Sequence, residues 1–358
     1  MKYLSLFSGI GGFEKGIIQA YEKVWREDYE CVGYSEIDKY ACQIYKKHFP
    51  NHTNYGDITH INEKELPDFD LLCGGFPCQA FSIAGKRGGF KDTRGTLFFD
   101  IARIIREKQP RLLLFENVKG LLSHDQGRTF GTIIRTLDEL GYDAEWEVLN
   151  SKNFGVPQNR ERVFIIGYLR GSSRPEVFPI GETNRTTDEG LEQGDTQSEV
   201  ASTIRSRYGN GTGSHIKQLN QPTHSTNRVY GTGGVSPSLK SEKGGVGGKT
   251  HCIKVPEATK KGYAEATVGQ SINLAVPNSK TRRGRVSDVA QTLDTGMQQH
   301  TLTKDAKIRR LTPIECERLQ GFPDGWTEGV SDSQRYKVLG NAVSVPVVKA
   351  IAERLLRG

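Results

Sequence analysis

The sequence predicts an α/β protein, a mostly parallel sheet with helices on both faces, joined to a second, small β-rich region inserted before the chain returns to the sheet. Three observations carry this. Residues 1–180 alternate short apolar, β-rich runs with segments of helical spacing, the pattern of strands joined through crossover helices. After about residue 180, Gly, Ser, Thr, Asn and Gln crowd out the aliphatics, and ten glycines fall between 201 and 255 alone. Helical order returns at Thr312 to Leu319 and again from Pro346 to Leu356, where the last helix is expected to rejoin the sheet.

The first strand, Tyr3 to Phe7, runs into Ser8-Gly9-Ile10-Gly11-Gly12-Phe13, a glycine-rich turn opening a helix. Missing Cβ atoms there let backbone amides approach a ligand. The second strand, Cys31 to Tyr34, ends near Glu36, where an acid can take ribose hydroxyls, and Asp57 follows a third strand candidate. No Gly-Lys-Ser/Thr follows the glycines, which excludes a loop that hydrolyses nucleotide phosphates. The run Phe69 to Cys73 leads into Gly75-Phe76-Pro77-Cys78-Gln79, a cysteine braced by proline just past a buried strand. Open α/β sheets hold their chemistry at such strand ends. Leu97, Phe98, Ile101, Ile104 and Ile105 have helical spacing that Pro110 stops. Leu112 to Phe115 then ends in Glu116-Asn117-Val118, so a carboxylate can face the thiol across one crevice. Phe130, Ile133, Ile134, Leu137 and Leu140 repeat the helical spacing before Gly141, and Glu145 to Leu149 and Val163 to Ile166 complete the strands. In the last third, Pro313 suits the first turn of a helix.

A chain of 358 residues suits two domains, expected at 1–180 with 335–358 and at 181–334, the latter including a hinge. Six cysteines form no Cys-x-x-Cys pair, nothing at the N-terminus has the order of a signal peptide, and no apolar run approaches the roughly 20 residues of a membrane span. The expectation is a reduced, cytoplasmic protein without a metal. The net charge of +7 is unevenly spread. Residues 201–310 hold 18 Lys and Arg against 6 Asp and Glu, which leaves the other 248 residues with a net charge of −5. A mildly acidic body with a basic insert is the profile of a polyanion-binding protein, and the insert lacks the amphipathic helical pattern that would favour a membrane surface.

Taken together, these motifs resemble those of the DNA (cytosine-5) methyltransferase family of bacterial and phage type, over residues 1–170 and 308–358. Phe7 to Phe13 resembles its S-adenosyl-L-methionine turn, Glu36-Ile37-Asp38 its ribose acid, Gly56-Asp57-Ile58 its adenine contact and Pro77-Cys78-Gln79 its nucleophile loop. Glu116-Asn117-Val118 and Gln158-Asn159-Arg160-Glu161-Arg162 are similar to its base-pocket motifs. Arg310 to Pro313, Gln320 to Pro323 and Gly340-Asn341-Ala342-Val343 complete the pattern.

The resemblance implies a methyltransferase fold with a target recognition domain. It gives catalytic roles to Cys78, Glu116, Arg160 and Arg162. It gives cofactor contacts to Phe7, Gly9, Gly11, Gly12, Glu36, Ile37, Asp57, Ile58, Pro77, Asn341 and Ala342. Gln79, Ser82, Lys86 and Arg87 would lie on a mobile loop against double-stranded DNA, with Gln158 shaping the pocket. Ala84 departs from relatives that carry serine there. In the basic region Arg228 is the candidate reader of a guanine edge, with Tyr230 beside it, and Lys243, Lys249, Arg282 and Arg283 are candidate phosphate contacts. A weak echo of Arg228-Val229-Tyr230 in Arg285-Val286-Ser287 makes Arg285 a candidate for a second reading element. The implied enzyme works as a monomer, alone or beside a cognate restriction endonuclease. Methylation of RNA, or a non-catalytic DNA-binding protein on the same fold, are the alternatives. The large basic region argues against the first, and the intact Cys78, Glu116 and Arg162 argue against the second.

Overall fold

The computed structural model describes residues 1–26, 28–77, 97–180, 252–274, 283–296, 299–303 and 308–357. The first half runs β1 (Lys2–Leu6), α1 (Gly12–Lys23), β2 (Glu30–Ser35), α2 (Lys39–His48), β3 (Leu71–Gly75), α3 (Leu97–Lys108), β4 (Leu112–Val118), α4 (Arg128–Glu139), β5 (Tyr142–Asn150), β6 (Gln158–Asn159) and β7 (Glu161–Leu169). Six of these strands form one sheet in the order β2-β1-β3-β4-β7-β5. β1 to β4 pair in parallel, and β7 is antiparallel to both neighbours. The expected mostly parallel sheet is therefore present.

Alternation along the strands divides the core between the two faces of the sheet. Leu4, Leu6, Leu72, Leu113, Phe115, Val163 and Ile165 pack with Phe98, Ile101 and Ile105 of α3 and Ile133 and Leu137 of α4. Tyr3, Leu71, Cys73, Leu112, Leu114, Phe164 and Ile166 pack on the opposite face with Ile17 and Tyr21 of α1 and with the C-terminal helix. Strands buried on both sides read as continuous apolar runs, which is why the sequence exposes them so clearly.

The third strand candidate is not a strand. Asn54 makes one isolated parallel bridge to Tyr34, after which Gly56, at φ 72, turns the backbone away. Asp57 then caps a short 3-10 turn, accepting from the Thr59 amide at 2.9 Å. The turn leaves Asp57 close to the end of β2 without adding a fifth parallel strand to the sheet.

The second half carries β8 (Cys252–Pro256), β9 (Tyr263–Thr267), β10 (Ser271–Asn273), β11 (Val286–Ser287), β12 (Ala290–Gln291), β13 (Gln299–Leu302) and β14 (Ile308–Arg310). β8 and β9 form a hairpin, and a four-stranded sheet has the order β11-β10-β13-β14. Ile253, Val255, Ala266, Ile272 and Leu302 form a small core of their own. Three helices follow: α5 (Pro313–Gln320), α6 (Asp332–Asn341) and α7 (Val345–Leu355). α5 begins with a capping box, Thr312 and Glu315 each bonding the other's backbone amide. Residues 311–339 pack with Ile10, Tyr34, Ile44, Tyr45 and Phe49, and α7 lies along α1, as expected for the returning helix. Among the described residues no helix is long and apolar enough to cross a membrane.

Candidate active site

The site gathers at the C-terminal ends of β1 to β4. At β1, Phe7 has φ 52 and Gly9 φ 57, left-handed backbone that is costly for Phe7 and free for glycine. A Cβ on Gly11 would lie 2.4 Å from the Phe49 ring, and one on Gly12 would lie 2.6 Å from Val343 Cγ1. Those two glycines are therefore demanded by close packing, whereas Gly9 opens on space with nothing within 4 Å. The packing of Val343 against Gly12 brings the Gly340-Asn341-Ala342-Val343 motif against the turn from the far end of the chain.

Glu36 stands beside this turn. Its Oε2 accepts from the Gly9 amide at 2.9 Å and its Oε1 from the Ile37 and Asp38 amides at 2.8 and 2.7 Å. Ile37 is 71% exposed, an apolar side chain standing free at the mouth of the cleft. Asp57 is held ionised by the Thr59 amide and hydroxyl, which lower its carboxyl below the usual carboxylate range, and Ile58 is buried beneath it. Open space over Gly9, the Glu36 carboxylate beside it and the exposed apolar side chain of Ile37 suit an adenosine-bearing, positively charged ligand. S-adenosylmethionine fits that description.

The chemical end of the cleft lies across β3 and β4. Gly75 pairs in register with Glu116, and Val118 with Arg162 on β7. Arg162 Nε donates to Glu116 Oε1 at 2.9 Å, an ion pair whose two side chains are largely buried. Glu116 Oε2 is directed over Gly75, where a Cβ would stand 3.1 Å away, so Gly75 keeps the carboxylate uncrowded. Phe76 is wedged between Phe98 and Phe115, with ring centroids 5.4 and 6.1 Å apart. Asn117, itself buried, donates from Nδ2 to the Phe76 carbonyl at 2.8 Å. The backbone entering Pro77, which is exposed, is therefore fixed to the same strand that carries Glu116. Asn117 and Gly75 are site residues that the sequence reading did not single out, although both sit inside its motifs.

Arg160 differs from its expected role. It is 2% exposed, and its guanidinium donates to the carbonyls of Leu293 at 3.3 Å, Gly340 at 3.2 Å and Ala342 at 2.8 Å. Burial, then the neighbouring Arg162 charge, pull its pKa down from the ordinary arginine value while Glu116 opposes them. A guanidinium stays charged in proteins, and the carbonyls are what solvate it. Arg160 thus stands behind the pocket, tying β7 to the end of α6 rather than facing a base. Gln158 is also buried, on β6 paired to β12, and neither atom of its amide has a hydrogen-bond partner among the described residues. An amide left in that state costs free energy until something meets it.

Asn341 is exposed and Ala342 buried at the end of α6. Arg283 is exposed and donates to the Ala258 carbonyl at 2.9 Å. Arg285 was expected at a base edge, but it is 2% exposed and donates from Nη1 to the Asn273 carbonyl at 3.2 Å, bracing the small sheet from inside. Cys78, Gln79, Ser82, Lys86, Arg87, Arg228, Tyr230, Lys243, Lys249 and Arg282 lie outside the described residues.

The profile of the family described as C-5 cytosine-specific DNA methylase matches residues 1–357. The chain is 39% identical to the type II methyltransferase M1.ScrFI of Lactococcus lactis subsp. cremoris, over 99% of this chain and 78% of the relative. It is 38% identical to the type II methyltransferase M.HpaII of Haemophilus parainfluenzae, over 99% and 88%, and 34% identical to the orphan methyltransferase M.SPRI of Bacillus phage SPR, over 99% and 97%. Its fold resembles the crystal structure of the S. pombe Dnmt2 methyltransferase at a TM-score of 0.58 and 18% identity, covering 100% of this chain and 98% of that one. A Spodoptera frugiperda DNMT2 variant gives 0.55 and 19%, covering 99% and 98%.

Proposed function

The chain belongs to the C-5 cytosine-specific DNA methylase family, a family of DNA methyltransferases, and we propose that it methylates carbon 5 of a cytosine flipped out of a specific duplex DNA sequence. The observation that carries the reading is the Arg162–Glu116 pair at the end of β4, beside the backbone that Asn117 fixes just ahead of Cys78.

Carbon 5 of cytosine is too weakly nucleophilic to take a methyl group unaided, and covalent addition at carbon 6 changes that. The Cys78 thiolate adds to carbon 6, forming a carbon–sulfur bond, and the displaced electron pair makes carbon 5 an enamine nucleophile. Charge accumulates toward ring nitrogen 3, where Glu116 gives a proton or a hydrogen bond while accepting one from the exocyclic amine. Arg162 holds that carboxyl in orientation and meets the cytosine carbonyl oxygen, and its charge favours the thiolate. Gly9, Glu36, Ile37 and Asp57 would hold S-adenosylmethionine, which when bound would supply the electrophilic methyl group that carbon 5 takes. Loss of the carbon-5 proton and departure of the Cys78 sulfur from carbon 6 then restore the aromatic ring and the free enzyme. Arg160 acts behind the site, and the amide of Gln158, without a hydrogen-bond partner among the described residues, is a candidate partner for a group brought by the DNA.

A stacked base offers neither face to a thiolate, so the target must leave the helix. Residues 1–180 with 335–358 form the catalytic domain in this proposal, and 181–334, with the basic excess, the recognition domain and hinge. Gln79, Ser82, Lys86, Arg87, Arg228, Tyr230, Lys243, Lys249, Arg282 and Arg283 are the proposed DNA contacts. The enzyme would act as a monomer in the cytoplasm of a bacterial or phage-infected cell, alone or beside a cognate endonuclease. DNA containing 5-fluorocytosine should trap a covalent adduct with the wild-type protein, since fluorine cannot leave as a proton does. Appreciable methylation by Cys78→Ala would refute the thiolate route, and bisulfite sequencing of DNA from expressing cells reads the target sequence.

A further inference from the structure

The two loops assigned above to the cofactor's adenosine are each fastened by a cation that lies in none of the motifs and comes from a helix distant in the chain. Lys337, midway along α6, donates from Nζ to Asp38 Oδ2 at 2.7 Å. The other oxygen of Asp38 accepts from the Tyr40 and Ala41 amides at 2.9 and 3.1 Å, capping α2. Glu36 takes its own orientation from this backbone, because Oε1 accepts from the Ile37 and Asp38 amides. Wherever Asp38 is held, the Glu36 carboxylate and the exposed Ile37 side chain are held with it. On α3, Arg103 donates from Nη2 to the Ile58 carbonyl at 3.0 Å and from Nη1 to the Ile61 carbonyl at 2.7 Å, and it pairs with Glu63. It closes the segment after Asp57 against α3.

Building on the cofactor reading above, we propose that Lys337 and Arg103 are positioning residues of the cofactor site, setting its affinity for S-adenosylmethionine without touching the ligand. The chemistry differs at the two fasteners. The Lys337–Asp38 side chains are 45% and 29% exposed, so this pair is weakened by salt. Burial works to raise the Asp38 pKa, but the Lys337 hydrogen bond and the α2 amides overcome it, and the carboxyl titrates below its ordinary range. Loss of Lys337 leaves the Glu36 and Asp38 carboxylates two residues apart with no cation from α6. Arg103 instead uses its fork to span two carbonyls, which a lysine ammonium cannot reproduce.

The test is steady-state methylation of target DNA by the full chain, varying S-adenosylmethionine, with thermal melting alongside. Lys337→Met is expected to raise KM for the cofactor about threefold to fivefold at low salt, the range for a half-exposed ion pair. It should leave kcat within about twofold, and the gap to wild type in cofactor affinity, read by equilibrium titration without DNA, should close near 1 M salt as screening removes the pair. Lys337→Arg should restore KM. Arg103→Lys is expected to raise KM about tenfold, again with kcat little changed. Unchanged KM in both Lys337→Met and Arg103→Lys overturns the proposal, as does a joint fall of KM-independent turnover and melting temperature that salt does not alter. Glu36→Ala separates the two levels of argument. If it binds cofactor as wild type does, the cofactor-site reading fails; if it loses binding while Lys337→Met keeps it, only the positioning role fails.

Discussion

Glu14→Gln should stabilise the protein in a pH-dependent way, and the sign follows from where Glu14 sits. The residue lies in the first turn of α1 with 0% exposure. Its Oε1 accepts from the Tyr45 hydroxyl at 3.0 Å, Oε2 has no partner among the described residues, and the same hydroxyl lies 3.0 Å from His52 Nδ1. Its titratable neighbours include Tyr45, Cys31, Tyr3 and Cys73, none of which offers a positive charge. Burial pushes the carboxyl up from 4.5 to about 7. The native state therefore keeps a proton that the unfolded chain has already released. The contribution is full below pH 4.5 and is lost as pH rises through about 7. At about 1.4 kcal/mol per tenfold change in proton affinity, the loss is about 3 kcal/mol. Glutamine has the size of the protonated acid and cannot ionise. Urea unfolding of both proteins from pH 5 to pH 8 should give a stability difference that starts small and grows to about 3 kcal/mol in favour of the variant. A difference that is flat with pH would refute the reasoning, since every other titrating group is common to both chains.

Glu116→Gln keeps the size and an acceptor oxygen for Arg162 but loses the ion pair and the acidic proton, so single-turnover methylation should slow by about 10²–10⁴-fold; cofactor affinity by equilibrium titration should hold, and a wild-type rate removes Glu116 from the chemistry. Gly12→Ala drives a Cβ to 2.6 Å from Val343 Cγ1 and 3.2 Å from the Val343 carbonyl, and should cost about 1–3 kcal/mol in urea unfolding. Because the strained contact is at the glycine turn, the same variant should bind S-adenosylmethionine more weakly, and unchanged affinity would separate the Val343 packing from the site. Arg335→Met strips the cation from Glu317, a fully buried carboxylate that also accepts from the Gly325 and Thr327 amides at 2.7 and 2.8 Å. The cost should reach about 3 kcal/mol, and a loss under about 1 kcal/mol would mean that the amides suffice.

The sheet was legible because strands covered on both faces are unbroken apolar runs. Leu112 to Phe115 is entirely buried, and the helices that cover it are written as plainly in Ile101, Ile104 and Ile105. α2 and α6 were not legible. Lys39–His48 and Asp332–Asn341 bury only Ala41, Ile44 and Tyr45, and Tyr336, Val338, Leu339 and Gly340, among many polar residues. In α2 the three stand at i, i+3 and i+4 behind the Asp38 cap, a signal too short to announce a helix by itself, and α6, which lacks a side-chain cap, rests on tertiary packing. The strand expected before Asp57 failed for the converse reason: its local pattern allows extension, but Gly56 turns the chain before a ladder can form.

The site shows the same division. Groups that meet substrate or cofactor stand in compact motifs, because a strand end and the turn after it can present several side chains from adjacent positions. Glu116 and Asn117 are neighbours for that reason, one directed into the crevice and the other back to the Phe76 carbonyl. Groups that hold those motifs in place obey no such constraint. Arg160 finds its acceptors 133 to 182 residues away, all of them main-chain carbonyls that any sequence would provide. Lys337 meets Asp38 across 299 residues. The partner of Arg160 is a backbone position rather than a residue type, so no pairing of charges in the sequence points to it, and its role emerges only when α6 and the 290–294 segment converge on β7. The signal available earlier was indirect: an arginine between two catalytic-motif positions, with no acid reserved for it, must be solvated by carbonyls if the fold buries it.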